Sequence, residues 1–294
     1  MARSAREEHV PHWVLHAFLA LVVLATIYPV LWVVTIAFSG NQSLSIADLP
    51  QDPTAWDRLR AILPWPARWS ADNFTSVMTD QPFARWMLNS AVIAVATTLV
   101  GVFLSCTGAY AFSRFKFPGR RACMMAFLVS QMFPGTLTLI PLYIIIVQWL
   151  GLGGTRFGLV LVYATTSIPF SVWMLKGYFD TIPKELEEAA IIEGAGPGTI
   201  FWRIVLPLAK PAIAITALFS FMTAWNEFIL AATFMNQEEM YTAPVGLKFF
   251  VGGFQQQWGY FAAGSIIVSV PVVVLFLYLQ KYLVSGLTAG SVKG

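Results

Sequence analysis

The sequence predicts an all-α, polytopic membrane protein with six transmembrane helices, and three observations carry that prediction. Of 294 residues, 57% are hydrophobic and only 11% charged, with a mean hydropathy of +0.67. That is too little charge for a water-soluble domain. Apolar stretches of roughly 20 residues or more recur, each long enough to cross about 30 Å of hydrocarbon at about 1.5 Å per residue. These stretches are continuously apolar rather than alternating, which argues against a β-barrel.

The spans are expected near 13–38, 87–112, 122–148, 158–179, 208–233 and 260–283. The first follows Arg3 and Arg6. It is longer than the roughly 7–15 residues of a signal-peptide core, and no small-x-small site precedes Ser39-Gly40-Asn41, so a retained helix is expected. Residues 39–86 form an outer segment rich in Pro and Trp, among them Pro50, Pro53, Pro64, Pro66, Trp56, Trp65 and Trp69. This segment reads equally as an interfacial aromatic cap and as a docking surface for an external partner. Residues 87–283 hold the other five spans, with an inner loop at 180–207 and an outer loop at 234–259, and 284–294 form an inner tail. Cys106 and Cys123 read as small buried apolar residues and support neither a disulfide nor a metal. Pro134, Pro141, Pro169 and Pro271 are expected to bend their helices.

Orientation follows from Lys and Arg. With both termini in the cytoplasm, the inner segments hold twelve of the eighteen basic residues. The cluster Arg114, Lys116, Arg120 and Arg121 weighs most, because it lies in the short loop between spans two and three. Membrane anchoring accounts for these bases, so nucleic acid is not expected as a partner.

The inner loop at 180–207 has its own local logic. Pro183 suits a first helical turn, and Glu185, Glu187 and Glu188 place negative charge at its positive end. Ala189 and Ala190 keep one side thin enough for another protein to approach. Gly194 is placed to end the helix, Gly196-Pro197-Gly198 makes a turn, and Thr199 caps a second helix running through Ile204 toward Pro207. Surface helices that bind anionic lipid are usually basic. Here five acids from Asp180 to Glu193 outnumber Lys184, Arg203 and Lys210, which favours a basic protein surface as the partner.

Glu188-Ala189-Ala190, Gly194, and Ile204-Val205-Leu206-Pro207 at these spacings resemble the EAA loop of membrane subunits of binding-protein-dependent ABC importers. Further stretches extend the likeness to the shorter permease of the maltose-type carbohydrate pair. They are Ala109-Tyr110-Ala111-Phe112-Ser113-Arg114, Gln131-Met132-Phe133-Pro134, Trp225-Asn226-Glu227-Phe228 and the tail from Gly286 to Gly294. The resemblance implies a MetI-like core in the bacterial inner membrane that pairs with a second, different permease. It also implies two copies of a separate ATPase, which bind ATP and Mg, and an extracytoplasmic sugar-binding protein. No cofactor is expected on this chain, nor any catalysis: Gly194 to Thr199 is glycine-rich but lacks the lysine and preceding strand of a P-loop. By the same resemblance Glu187, Glu188, Ala189, Ala190, Gly194, Ile204, Leu206 and Pro207 couple to the ATPase. Gly252, Gly253, Phe254 and Gln255 form a loop that reaches into the binding protein and helps dislodge sugar. Ala289, Gly290, Ser291, Val292, Lys293 and Gly294 reach the ATPase interface. A disaccharide or oligosaccharide such as maltose, maltodextrin or trehalose is the implied cargo.

Within the spans, Glu227 is the main exception to apolarity. An intramembrane carboxylate faces a polar cavity or a partner by default. With Trp225 as a flat apolar face and Asn226 as donor and acceptor, a place in the sugar pathway stands beside a purely structural role between helices. An ion-coupled secondary transporter is the alternative function, but it calls for titratable groups at the midplane and paired broken helices. An embedded enzyme is weaker still, because His9, His12 and His16 crowd the first segment and form no ligand set with nearby acids.

Overall fold

The computed structural model describes residues 12–45, 52–66, 68–254 and 256–291. Every regular element among the described residues is helical. The chain divides into two compact units, one of residues up to 81 together with 249–267, the other of residues 82–248 and 268 onward.

The first unit contains α1 (His12–Ala37), α2 (Ala55–Ile62) and α3 (Asp72–Thr79). α1 is apolar on all sides, as a membrane span must be, and the sequence located it to within a residue. Its last carbonyls have no partner within the helix, and Asn73 supplies one. This buried amide donates to the Ala37 carbonyl at 3.0 Å and accepts from Gln42 Nε2 at 2.7 Å. Phe38 packs on Phe74 and Trp69, with centroids 4.7 and 5.8 Å away. Thr54 and Asp57 form a reciprocal capping box that starts α2. Trp56, Trp65 and Trp69 stay exposed. Gly259 closes this unit: a Cβ there would meet the Asn41 carbonyl oxygen at 2.3 Å, so no larger residue fits.

The second unit opens with α4 (Phe83–Arg114), α5 (Arg120–Met132) and α6 (Gly135–Tyr143), the last prolonged by a π-helical turn at Ile144–Trp149. α7 (Arg156–Phe179) and α8 (Glu185–Ile192) follow. Next come α9 (Pro197–Ile200), a π-helical turn at Phe201–Val205 and α10 (Leu206–Leu208). α11 (Lys210–Asn226) and α12 (Ile229–Phe234) precede α13 (Ala243–Val251) and α14 (Trp258–Ser291), which both run across the division between units. The segment between the first two spans is thus shorter than the expected 39–86, since α4 starts at Phe83. The 234–259 segment is not a plain loop, because α13 occupies much of it.

α4, α7 and α11 pack as the centre of this unit. Along α4 the buried positions Thr97, Gly101, Ser105, Ala109 and Ser113 recur every four residues, a small-residue stripe that lets helix backbones approach within lipid. A Cβ on Gly101 would touch the hydroxyls of Ser167 on α7 and Ser220 on α11 at 3.4 and 3.5 Å.

Among the described residues, four helices are long and apolar enough to cross a membrane, and two bent pairs bring the number to six if each counts as one span. The expected single span at 122–148 is one of these pairs, with α5 and the α6 segment bent by 106°. The cause is local: Phe133 precedes Pro134 and is held extended at ψ 131°. The other pair is Pro197–Leu208 with Lys210–Asn226, bent by 78°, and the expected span at 208–233 is further interrupted at Glu227, which is extended at ψ 128°. Pro169 and Pro271, in contrast, lie inside continuous helices. Cys123 is exposed, contrary to its reading as buried, while Cys106 is buried.

Gly246 on α13 is a strict packing position. An added Cβ would lie 2.0 Å from Trp86 Cε3, and Trp86 is held by its Nε1 donating to the Glu238 carbonyl at 2.9 Å. Gly246→Ala is expected to destabilise the protein by about 1–3 kcal/mol through overpacking. Thermal unfolding in detergent would register this, and an unchanged midpoint would contradict the packing described.

Candidate functional site

α8 is a short helix with separately specified ends. Its first turn carries Glu185, Glu187 and Glu188, favourable against the positive end of the helix dipole. Its last turn closes on Gly194 at φ 84°. The Ala195 amide donates to the Ala190 carbonyl and the Gly194 amide to the Ile191 carbonyl, both at 2.9 Å. This is the Schellman arrangement, for which a left-handed glycine is suited. Two local details differ from expectation. Pro183 lies before the helix, which begins at Glu185, and the second helix starts at Pro197 after Gly196 rather than from a Thr199 cap.

The inward face of α8 is tied to the end of α4. Arg114 Nε donates to Glu187 Oε1 at 2.5 Å, and Arg114 Nη2 donates to the Ile182 carbonyl at 3.2 Å. The Tyr110 hydroxyl donates to Glu187 Oε2 at 3.3 Å. The two charged side chains are 7% and 10% exposed, so water barely competes for this pair. Arg114 Nη1 also reaches Ser113 Oγ, which donates to Asp180 Oδ1 at 2.6 Å, and Asp180 pairs in turn with Lys176. Partial burial pushes the Asp180 carboxyl up. The hydrogen bonds from Lys176 and Ser113 and the charges of Lys176 and Arg120 outweigh that, leaving it below its ordinary value.

The opposite face is bare. Glu188 and Ala189 are exposed, as are Leu186, Ile191 and Ile192, the last at 88%. Glu187 and Ala190 are turned into the protein's own interior, so as surface contacts these two expectations need correcting. Ala190 belongs to a buried cluster with Phe179, Ile200, Phe201 and Val205, against which Ile204 and Leu206 pack. Pro207 is exposed. Sequence reading missed Leu186, Ile191 and Ile192. Their signal was present in the excess of large apolar residues on an eight-residue helix that buries only two positions.

The Trp225-Asn226-Glu227 group does not form one site. Trp225 is 2% exposed, stacked on Phe221 at 5.3 Å with its Nε1 donating to the Val268 carbonyl at 3.1 Å. No ring face is left for a sugar, and that expectation is corrected. Glu227 accepts from the Leu230 and Ala231 amides at 2.9 and 3.0 Å and from the Tyr163 hydroxyl at 3.0 Å. It therefore serves as the cap of α12 at a break in the membrane helix. Asn226 alone is exposed, with Nδ2 donating to the Met222 carbonyl at 3.0 Å.

The remaining expected positions lie apart from α8 in the chain. Gly252, Gly253 and Phe254 form an exposed bend after α13, and Gln255 lies outside the described residues. The backbone of Ala289, Gly290 and Ser291 continues α14, while Val292, Lys293 and Gly294 lie outside the described residues.

Residues 97–288 match the family model described as the binding-protein-dependent transport system inner membrane component. The chain belongs to this family. Among curated proteins, the permease is 35% identical over 280 residues to the maltodextrin transport system permease protein MdxG of Bacillus subtilis, covering 95% of each chain. It is 37% identical to the galactooligosaccharides transport system permease protein GanQ of the same organism, covering 96% of this chain and 94% of that one. It is 34% identical to the maltose/maltodextrin transport system permease protein MalG of Escherichia coli, covering 96% of each. Among solved structures, it superposes on a chain of a bacterial ABC transporter involved in import of the acidic polysaccharide alginate. The TM-score is 0.77 at 22% identity, with 96% of this chain and 99% of that chain covered, a likeness of fold. The permease is thus a multi-pass component of the inner membrane with a MetI-like helical core, as its sequence motifs implied.

Proposed function

We propose that this permease is one of two membrane subunits of an ATP-driven importer for a disaccharide or oligosaccharide, with the outer face of α8 as the seat of a separate ATPase. The observation that carries the proposal is the asymmetry of α8. Glu187 and Ala190 are committed inward, while Glu188 stands exposed among Leu186, Ile191 and Ile192. An exposed acid with two exposed isoleucines, Ile191 and Ile192, one turn along the helix suits a cleft with a basic residue and an apolar floor, not an anionic lipid surface.

In this reading both termini and α8 are cytoplasmic, and ATP and Mg bind the ATPase. A second permease completes the pathway, and an extracytoplasmic binding protein delivers the cargo to the side bearing Gly252, Gly253, Phe254 and Gln255. The exposed Phe254 supports a loop tip that competes for sugar contacts. The tail from Ala289 to Gly294 approaches the ATPase. Relatives named for maltodextrin and galactooligosaccharides support a carbohydrate cargo, with trehalose as a further candidate.

The test is uptake into proteoliposomes that contain this chain, the second permease and the ATPase, with the binding protein outside. Labelled maltodextrin, galactooligosaccharide and trehalose should be compared with enclosed ATP and without it. ATP-dependent accumulation of at least one of them is expected. Uptake that runs without nucleotide, or on an ion gradient instead, would refute the proposal.

A further inference from the structure

We propose that the Arg114–Glu187 ion pair is the rigid link that carries movement of α8 into α4, which makes Arg114 a positioning residue for transport. The inference rests on α8 being the ATPase-facing helix and adds which membrane helix receives its motion.

The polypeptide itself joins α8 to α7 on one side and, through α9 and α10, to α11 on the other. No covalent path of comparable length leads to α4. Yet α4 supplies the small-residue stripe against which both α7 and α11 pack, so any rearrangement of the core must move α4 with them.

Arg114 closes that gap from the last turn of α4. Its fork has three endpoints: Nε on the Glu187 carboxylate, Nη2 on the Ile182 carbonyl and Nη1 on Ser113 Oγ. One endpoint is on α8, one is in the linker before it, and the third leads through Asp180 to the end of α7. Tyr110, one turn earlier on α4, holds the second oxygen of the same carboxylate. A carboxylate gripped at both oxygens by one helix resists rotation as well as separation, because charge-assisted hydrogen bonds are directional. An apolar contact between α4 and α8 could provide cohesion but would allow sliding. A buried ion pair returns little net stability for its desolvation cost, so what it adds here is directional stiffness. Glu188, one residue on, makes no ion pair among the described residues, and the two adjacent acids divide the work between the inner link and the outer contact.

The experiment uses the complete importer in proteoliposomes and reads two rates, sugar moved and ATP hydrolysed, alongside ATPase co-purification. Glu187→Gln should keep the ATPase bound and hydrolysis within about twofold, while sugar moved per ATP falls by about tenfold, the scale of a disrupted coupling element. Arg114→Lys keeps a cation without the fork and should recover part of the ratio. Arg114→Gln with Glu187→Gln should be no worse than either alone, because the link is already cut. An unchanged ratio in Glu187→Gln overturns the proposal. So does a fall of transport and hydrolysis together in step with lost ATPase association, which is what a merely structural pair would give. Should Glu187→Gln fail to accumulate, Arg114→Lys and Tyr110→Phe are read instead, and a wild-type ratio in both overturns it. If no ATPase accompanies even the wild-type chain, the reading of α8 fails first and takes this inference with it.

Discussion

Glu227→Leu is expected to destabilise the permease by about 3–9 kcal/mol, because it strips partners from three donors at once, each costing roughly 1–3 kcal/mol when left unmet. Two of them are the Leu230 and Ala231 amides at the start of α12, and the third is the Tyr163 hydroxyl. Within lipid no water replaces the lost acceptor. Glu227→Gln keeps one acceptor oxygen and should cost a fraction of that. The measurement is thermal unfolding in detergent, paired with uptake normalised to folded transporter in the membrane. If Glu227 is a cap, both variants lose stability while each surviving transporter moves sugar at close to the normal rate. Wild-type stability with abolished sugar binding would instead return Glu227 to the transport pathway.

Charge reversal at Glu188 is the second large effect. The Glu188 side chain is exposed and its amide makes an ordinary bond to the Lys184 carbonyl at 2.9 Å, so Glu188→Arg should leave the unfolding midpoint unchanged. A desolvated charge contact at the ATPase would be lost and replaced by repulsion. A truncated buried charge pair at an interface typically costs 2–5 kcal/mol or more, so transport should fall by at least about thirtyfold. The ATPase should be lost from the purified assembly, with Glu188→Gln intermediate. An ATPase that still co-purifies at normal stoichiometry with the arginine variant would rule out Glu188 as the contact.

These two glutamates show where reading a string of residues succeeds and where it stops. Near Glu188, nearly everything needed to form the helix is local: acids in the first turn, a positive-φ glycine at the end, and prolines and glycines between this helix and the next. All of it was legible. The break after Asn226 was not, because neither glycine nor proline marks it. It exists because Glu227 satisfies amides three and four residues ahead while a tyrosine 64 residues earlier holds the same carboxylate. The bend at Pro134 was legible as a bend, but its 106° size depends on α5 packing against α7 and α6 against α12. Trp225 misled for a related reason. A tryptophan beside polar residues looks like a sugar platform until the Val268 carbonyl, 43 residues onward, is seen to occupy its only donor.

Hydrophobic run length and local turn chemistry were enough to establish a helical membrane protein, the approximate placement of its apolar segments, and the short acidic helix between two of them. These are properties of neighbouring residues, and they survive in any arrangement of the chain. Folding in three dimensions chose which acid would face inward. Glu187 and Glu188 are adjacent and chemically identical, and they differ only by the roughly 100° that one residue turns along a helix. Arg114, 73 residues away in sequence, selects the first of them, because an arginine buried at the end of α4 must be paired with an acid, and α8 packs so that Glu187 supplies it.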